Sequence, residues 1–180
     1  MDVAVVNRGL TFDPSRLFEE AQYLMGGGKL TTVNLRKRHD MPYDQAKVYG
    51  LTTLYDHEIG KYVIEQSEYD TLIDGVQEMY IASVIGVVQK YAATLGLKIG
   101  RARLITLLPK QCLTYHTDKE STLRFHIPIV TNDNVMYIVD DIVHRMPDIG
   151  QLYTLEVSKK HTVLNASRSM RLHIVLDGYV

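Results

Sequence analysis

Residues 161–177 read HTVLNASRSMRLHIVLD. Two short runs, His161–Asn165 and Arg171–Asp177, flank a small polar turn, and both are rich in β-branched and aliphatic residues. Alternation divides the second run: Arg171, His173, Val175 and Asp177 share one face, and Leu172, Ile174 and Leu176 share the other. A period of two predicts a strand. Working back toward residue 100, the same texture recurs in QLYTLEV, VMYIV, LRFHIPIV and RLITLL, spaced roughly 10–15 residues apart, with TNDN and MPDIG between runs. That rhythm predicts an antiparallel sandwich or jelly roll.

The first 99 residues have a different period. Asp13-Pro14 pairs an N-cap carboxylate with a proline at the first helical position, and Leu17, Phe18, Tyr23 and Leu24 follow at helical spacing until Gly26–Gly28. From Thr71 to Leu95 apolar residues keep a 3.6-residue period, and Gly96 and Gly100 close the segment. A strand at Thr31–Leu35 and a short helix at Tyr43–Val48 are expected between these helices. The fold class is therefore mainly β with N-terminal helices (α+β), in a single domain spanning 1–180. Residues 1–99 would buttress one sheet and carry any substrate loops, and 100–180 would form the jelly roll.

Composition removes whole classes of function. With 46% hydrophobic and 23% charged residues the chain is ordinary for a globular domain. Twenty basic against twenty-one acidic residues leave a net charge of −1, which gives no global field for nucleic acid or anionic membrane. The dense basic run Arg36–His39 reads as a solvated loop or strand end. One cysteine, Cys112, forbids an internal disulfide, a zinc ribbon and a CxxC motif, and fits a reducing compartment. Cys112 reads as a small buried apolar residue. The N-terminus lacks a signal-peptide pattern, and Tyr80–Leu97 is broken by Gln89 and Lys90 before it could span a bilayer, so a cytoplasmic protein is expected. Histidine is the unusual supply: of seven, five (116, 126, 144, 161 and 173) fall in the last 65 residues.

His116-Thr117-Asp118 puts an imidazole and a carboxylate on the same side of an extended segment, turned toward one ion. Such a pair arises by chance in about half of chains of this composition, so context must carry it. His161, brought across a sandwich, would complete two histidines and one carboxylate, the facial triad of non-heme Fe(II) oxygenases; zinc is the competing metal. Arg171 favours the first. A guanidinium on a mostly apolar strand is expensive to bury unless an anion meets it, and it pairs bidentately with carboxylate. Arg124 and His126 repeat the device on LRFHIPIV, opposite Phe125 and Ile127. Two arginines and a histidine beside such a triad suit a small dicarboxylate that chelates the metal.

The order HTD, LRFHIPI, HTVLNASRSMR and HIVLDG resembles the catalytic region of the aspartyl/asparaginyl β-hydroxylase family of 2-oxoglutarate- and Fe(II)-dependent dioxygenases, over residues 100–178. The resemblance implies a double-stranded β-helix (jelly roll, cupin-like) core, with His116, Asp118 and His161 as iron ligands and Arg171 on the distal carboxylate of 2-oxoglutarate. It also implies that Arg124 and His126 hold the co-substrate near its chelating end, and that O₂ completes the reaction. Some family members lack the carboxylate ligand that Asp118 supplies here. For the hydroxyl partner of 2-oxoglutarate, Thr106 is the candidate by placement, with Ile105 as its rival register. The expected substrate is an amino-acid or peptide side chain of the Asp/Asn type, or a free amino acid such as proline.

Other readings stay open at this level. Arg171 could pair with Asp177 or Asp118 as a structural salt bridge. A cupin-type metal hydrolase or isomerase on the same ligands would not need Arg171, and a non-catalytic jelly-roll module would retain no metal. His144 with Asp140 and Asp141 mimics a metal site but reads as a solvated hairpin. His173, Asn165, Tyr115 and Tyr137 read as structural.

Overall fold

The computed structural model of the chain describes residues 4–26, 32–35, 46–56, 61–63, 71–72, 76–118 and 123–180. The N-terminal part holds β1 (Val5–Thr11), α1 (Pro14–Gly26), β2 (Thr32–Leu35), β3 (Ala46–Gly50), β4 (Thr52–Asp56), β5 (Lys61–Val63), β6 (Thr71–Leu72) and α2 (Tyr80–Thr94). The C-terminal part is all strand: β7 (Lys98–Leu107), β8 (Gln111–Cys112), β9 (Leu123–Val130), β10 (Val135–Val139), β11 (Ile142–His144), β12 (Gln151–Glu156), β13 (His161–Asn165) and β14 (Arg171–Tyr179).

Those last eight strands divide between two antiparallel sheets. Among the described residues the larger runs β1-β12-β9-β14-β7-β3-β2 and the smaller β11-β10-β13-β8. Strands 7, 9, 12 and 14 in one sheet and 8, 10, 11 and 13 in the other make the jelly roll that the spacing of apolar runs predicts. The alternation of β14 holds as read. Leu172, Ile174 and Leu176 join Phe125 and Ile127 in a core beneath the helices, with Ile81, Val84, Ile85 and Val88 of α2. The opposite face of the large sheet looks between the sheets, where Tyr137, Val139, Tyr153, Leu155 and Val163 form a second core. β14 is buried along its whole length because both faces are covered.

The helices show what local signals can carry. Asp13 caps α1 as expected, its Oδ1 accepting from the backbone N–H groups of Ser15 and Arg16 at 3.0 and 3.2 Å. The expected second helix is shorter than its periodicity: Thr71 and Leu72 belong to β6, paired with β4, and the helix starts only at Tyr80. Its N-cap position, Met79, offers no side-chain acceptor. The cap comes from α1 instead, with Glu20 receiving the Tyr80 and Ile81 N–H groups at 2.8 Å each. A carboxylate from another element thus satisfies the orphan donors and meets the positive end of the helix. No helix among the described residues is long and apolar enough to cross a membrane.

Two expectations for the first 99 residues are corrected. The segment expected as a helix at Tyr43–Val48 contains strand, β3, which pairs with β7 and β2; residues 43–45 lie outside the described set. β3 satisfies its backbone groups on the edge of β7, an option a weak local helix signal cannot outbid. β1, which was not expected, extends the large sheet beyond β12. The N-terminal region is therefore sheet edge as well as helix. The run Arg36–His39 and Gly27–Gly28 lie outside the described residues.

Gly150 joins β1 to this frame. At φ +74° it lies 2.8 Å from both Phe12 N (through its carbonyl) and Pro128 O (through its N–H), and a Cβ there would sit 2.4 Å from Phe12 O. Gly150→Ala is expected to destabilise the chain by about 2 kcal/mol or more, combining left-handed strain with a backbone clash. Urea unfolding checks it; an unchanged midpoint would contradict the close approach.

Candidate active site

His116 and His161 are brought together by main chain. They form an isolated antiparallel bridge, His116 N donating to His161 O at 3.0 Å and His161 N to His116 O at 2.7 Å, and their ring centroids lie 4.6 Å apart. Asp118 N donates to Val157 O at 3.0 Å, which keeps the segment extended and turns the Asp118 carboxylate to the same side as His116. Each ring is oriented by a carbonyl two residues before it: His116 Nδ1 faces Thr114 O at 2.6 Å, and His161 Nδ1 faces Lys159 O at 2.9 Å. With each Nδ1 turned to a carbonyl, the Nε2 atoms are the ones left to a metal; in the metal-free chain His116 Nε2 pairs with Asp118 Oδ1 at 3.3 Å.

Ligand atoms of His116, Asp118 and His161 all lie within 4.8 Å of one another. His161 Nε2 is buried with no hydrogen-bond partner among the described residues, and such an orphaned nitrogen fits a divalent metal. Burial pushes the Asp118 carboxyl up, but the hydrogen bond with His116 and the Arg124 cation outweigh it and hold the group well below the usual carboxylate range. It is ionised, as a ligand must be. Of the described residues, these three are the group that could hold a metal. His144 with Asp140 and Asp141 does not form one; the two aspartates occupy a turn with φ of 46° and 65°.

The triad opens on a cavity of about 220 Å³ between the sheets, lined also by Arg171, His126, Tyr137 and Ile105. Arg171 is 2% exposed. Its Nη2 donates to Tyr137 Oη at 2.6 Å and lies 3.5 Å from His126 Nδ1, and Nη1 reaches Ile105 O at 3.4 Å. Among the described residues no carboxylate pairs with it: Asp177 is held by Arg101, Arg103 and Arg124, and Asp118 by Arg124 and the histidines. The salt-bridge reading of Arg171 is thereby removed. A buried guanidinium with only neutral partners is costly unless an anion meets it. His126 offers the cavity a buried Nε2 with no partner.

Thr106 faces the other way. Its side chain does not line the cavity, and its hydroxyl donates to Lys47 O at 3.4 Å, while Ile105 turns inward. The hydroxyl beside Arg171 is that of Tyr137, which also meets His173 Nδ1 at 3.2 Å. Alternation in VMYIV, with Val135, Tyr137 and Val139 buried, was the signal available for it. Arg101 and Arg103 were also missed, although KIGRARLITL sets them and Ile105 on one face. Arg124 lines the cavity but is bound at Nε by Asp177 at 2.8 Å and at Nη2 by Asp118. Asn165 is structural as read, its amide donating to Leu107 O and Ser169 O at 2.9 Å each.

The buried histidines give the apo chain a pH dependence. Burial, and then the Arg171 cation, hold His126 and His173 well below their ordinary pKa. Unfolded, each takes up a proton near pH 6.5, and folded it does not until far lower. The unfolded state therefore binds more protons below about pH 6.5, and stability falls as pH drops through that value. Two such groups give a slope of about 2–3 kcal/mol per pH unit. Asp177, pushed up by burial but drawn down to about 2 by its arginines, adds a loss only when the unfolded carboxylates protonate near pH 4. Urea unfolding of metal-free protein between about pH 7 and pH 5.5 checks the sign; a flat profile would contradict it.

Solved structures share this architecture at low identity. A 2OG-Fe(II) oxygenase family oxidoreductase from Burkholderia pseudomallei superposes with a TM-score of 0.65 at 13% identity, covering 99% of this chain and 86% of that one. A viral collagen prolyl hydroxylase from Paramecium bursaria Chlorella virus-1, solved as a 2OG complex, gives 0.63 at 7% identity over 99% and 97%. A prolyl hydroxylase from Trichoplax adhaerens, in complex with a hypoxia inducible factor oxygen degradation domain peptide fragment, gives 0.60 at 14% over 97% and 82%. These likenesses show the fold. No curated protein matches the sequence. Fold and family together place the chain among the 2-oxoglutarate- and Fe(II)-dependent oxygenases. Within them it belongs to the aspartyl/asparaginyl β-hydroxylase family, whose model matches residues 77–179, more than half of its length.

Proposed function

We propose that this oxygenase hydroxylates an amino-acid or peptide side chain that carries a carboxylate. His116, Asp118 and His161 hold Fe(II), Arg171 with the Tyr137 hydroxyl takes the distal carboxylate of 2-oxoglutarate, and His126 lies beside the co-substrate. The observation that carries this reading is Arg171, buried against the same cavity as the triad and, among the described residues, paired with no carboxylate. When bound, Fe(II), 2-oxoglutarate and O₂ supply the oxidation: one oxygen atom enters a C–H bond of the substrate and the other leaves in succinate, with release of CO₂.

Charge supports an anionic substrate. Four arginines, 101, 103, 124 and 171, line the cavity, and among the described residues they meet two aspartates, Asp118 and Asp177. Fe(II) and the 2-oxoglutarate dianion cancel each other, so two positive charges remain. Burial lowers the Arg103 guanidinium to about 9; Asp177 opposes the shift, and the neighbouring Arg101 and Arg124 cations add to it. The protein's part is to fix the ligands, desolvate the site and orient the substrate anion. A single cysteine supports a reducing, cytoplasmic setting.

The test is an anaerobic titration of the folded chain with Fe(II) and 2-oxoglutarate, followed by a mass-spectrometric screen of amino acids and peptides. A visible charge-transfer band and a product one oxygen atom heavier from an acidic substrate are expected. Absence of the band in folded protein would overturn the reading, and turnover confined to uncharged substrates would overturn the charge argument.

A further inference from the structure

We infer that Arg124, anchored by Asp177, is a positioning residue for the metal-binding carboxylate of Asp118, holding that carboxylate to one oxygen toward the ion. The inference rests on the proposed ligand set and goes beyond it. Arg124 spends two edges of its fork on two different aspartates: Nε donates to Asp177 Oδ1 at 2.8 Å and Nη2 donates to Asp118 Oδ2. The oxygen Arg124 leaves alone, Asp118 Oδ1, lies 3.3 Å from His116 Nε2. Two ligands in adjacent positions about 2.1 Å from one ion are about 3 Å apart, so the Oδ1–His116 separation fits a shared ion, whereas the Arg124-bound Oδ2 stays 3.9 Å from His161 Nε2.

Asp177 makes the anchor rigid. It is 1% exposed on β14, directly opposite Arg124 of β9, and from β7 it also receives Arg101 Nε at 2.8 Å and Arg103 Nη2 at 2.6 Å. A structural counter-ion for Arg101 and Arg103 would not need to reach β9. The consequence is chemical. A facial triad leaves three positions, of which 2-oxoglutarate takes two and O₂ one; a second Asp118 oxygen on the ion would close one of them.

The test uses the full chain and Mn(II) as probe, measuring metal affinity without turnover and then 2-oxoglutarate affinity at saturating Mn(II). Arg124→Lys keeps the charge beside Asp177 but cannot bridge both carboxylates, and Arg124→Gln and Asp177→Asn remove one partner each. Each is expected to weaken Mn(II) binding by about 10- to 100-fold, the range for partners that orient a metal ligand. 2-Oxoglutarate affinity should change less than about 3-fold, and the Arg124→Gln/Asp177→Asn double variant should be no weaker than either single. Unchanged Mn(II) affinity overturns the inference, whether 2-oxoglutarate binding falls or stays. Fully additive losses overturn the role of Asp177. If Asp177→Asn does not fold, the two Arg124 variants decide. Mn(II) binding by the parent chain that His161→Ala leaves intact would instead overturn the ligand assignment.

Discussion

Arg171→Leu is expected to raise the KM for 2-oxoglutarate by about 30-fold to several thousand-fold, the equivalent of removing one partner of a buried, hydrogen-bonded charge pair worth about 2–5 kcal/mol. The guanidinium is 2% exposed, its hydrogen-bond partners Tyr137, His126 and the Ile105 carbonyl are neutral, and among the described residues Asp118 and Asp177 are engaged by other groups. A co-substrate carboxylate would find there an open charge-assisted fork. The ligand-free protein should respond in the opposite sense. An uncompensated buried cation is destabilising, so leucine in a largely apolar neighbourhood should leave the unfolding midpoint unchanged or higher. Steady-state kinetics and urea unfolding of the same variant separate the two effects. A KM within 3-fold of the parent would remove Arg171 from the co-substrate site; a large fall in apo stability would return it to a structural role.

His161→Ala is expected to abolish stable metal binding, weakening it by more than 100-fold, with turnover falling below detection. Loss of a direct ligand exceeds the 10- to 100-fold cost of losing a group that only orients one. The fold should persist, because His161 is tied to His116 through main-chain N–H and C=O groups that an alanine keeps. Its Nε2 has no other partner to lose. Metal content after anaerobic reconstitution, read with circular dichroism, checks both halves of the expectation. A variant that is folded and still binds one ion per chain would sink the triad.

Local pattern carried the fold class because jelly-roll strands announce themselves by alternation. Leu172, Ile174 and Leu176 are under the helices and Arg171, His173, Val175 and Asp177 are between the sheets, as a period of two requires. Asp13 and Pro14 start a helix by chemistry confined to one turn. The N-terminal strands were not legible in this way. β1 and β3 acquire their state from backbone partners 150 and about 60 residues away, on β12 and β7, and the start of α2 depends on Glu20 from α1.

The site divides similarly. The His-x-Asp spacing, the distal histidine and Arg171 are visible in the chain because each sits at a fixed offset on a strand, and the structure brings them to one cavity. Thr106 was the wrong hydroxyl by one step of register: a shift of one residue sends a side chain to the opposite face, and Ile105 took the inward place. Tyr137 comes from the small sheet, and nothing in its own neighbourhood says that it will lie over an arginine on the large one.

The stretch from His161 to Asp177 thus determined by itself two strands, their inward faces and the residue types that can bind a metal and an anion, since periodicity and side-chain chemistry are local properties. Which groups pair was decided only in three dimensions. Asp177 shares a face of β14 with Arg171 but stands six residues along the strand, roughly 20 Å away, and β7 and β9 bring three arginines to it from either side. That choice, made by cross-strand register, leaves Arg171 open to an anion and Arg124 committed to the metal-binding carboxylate.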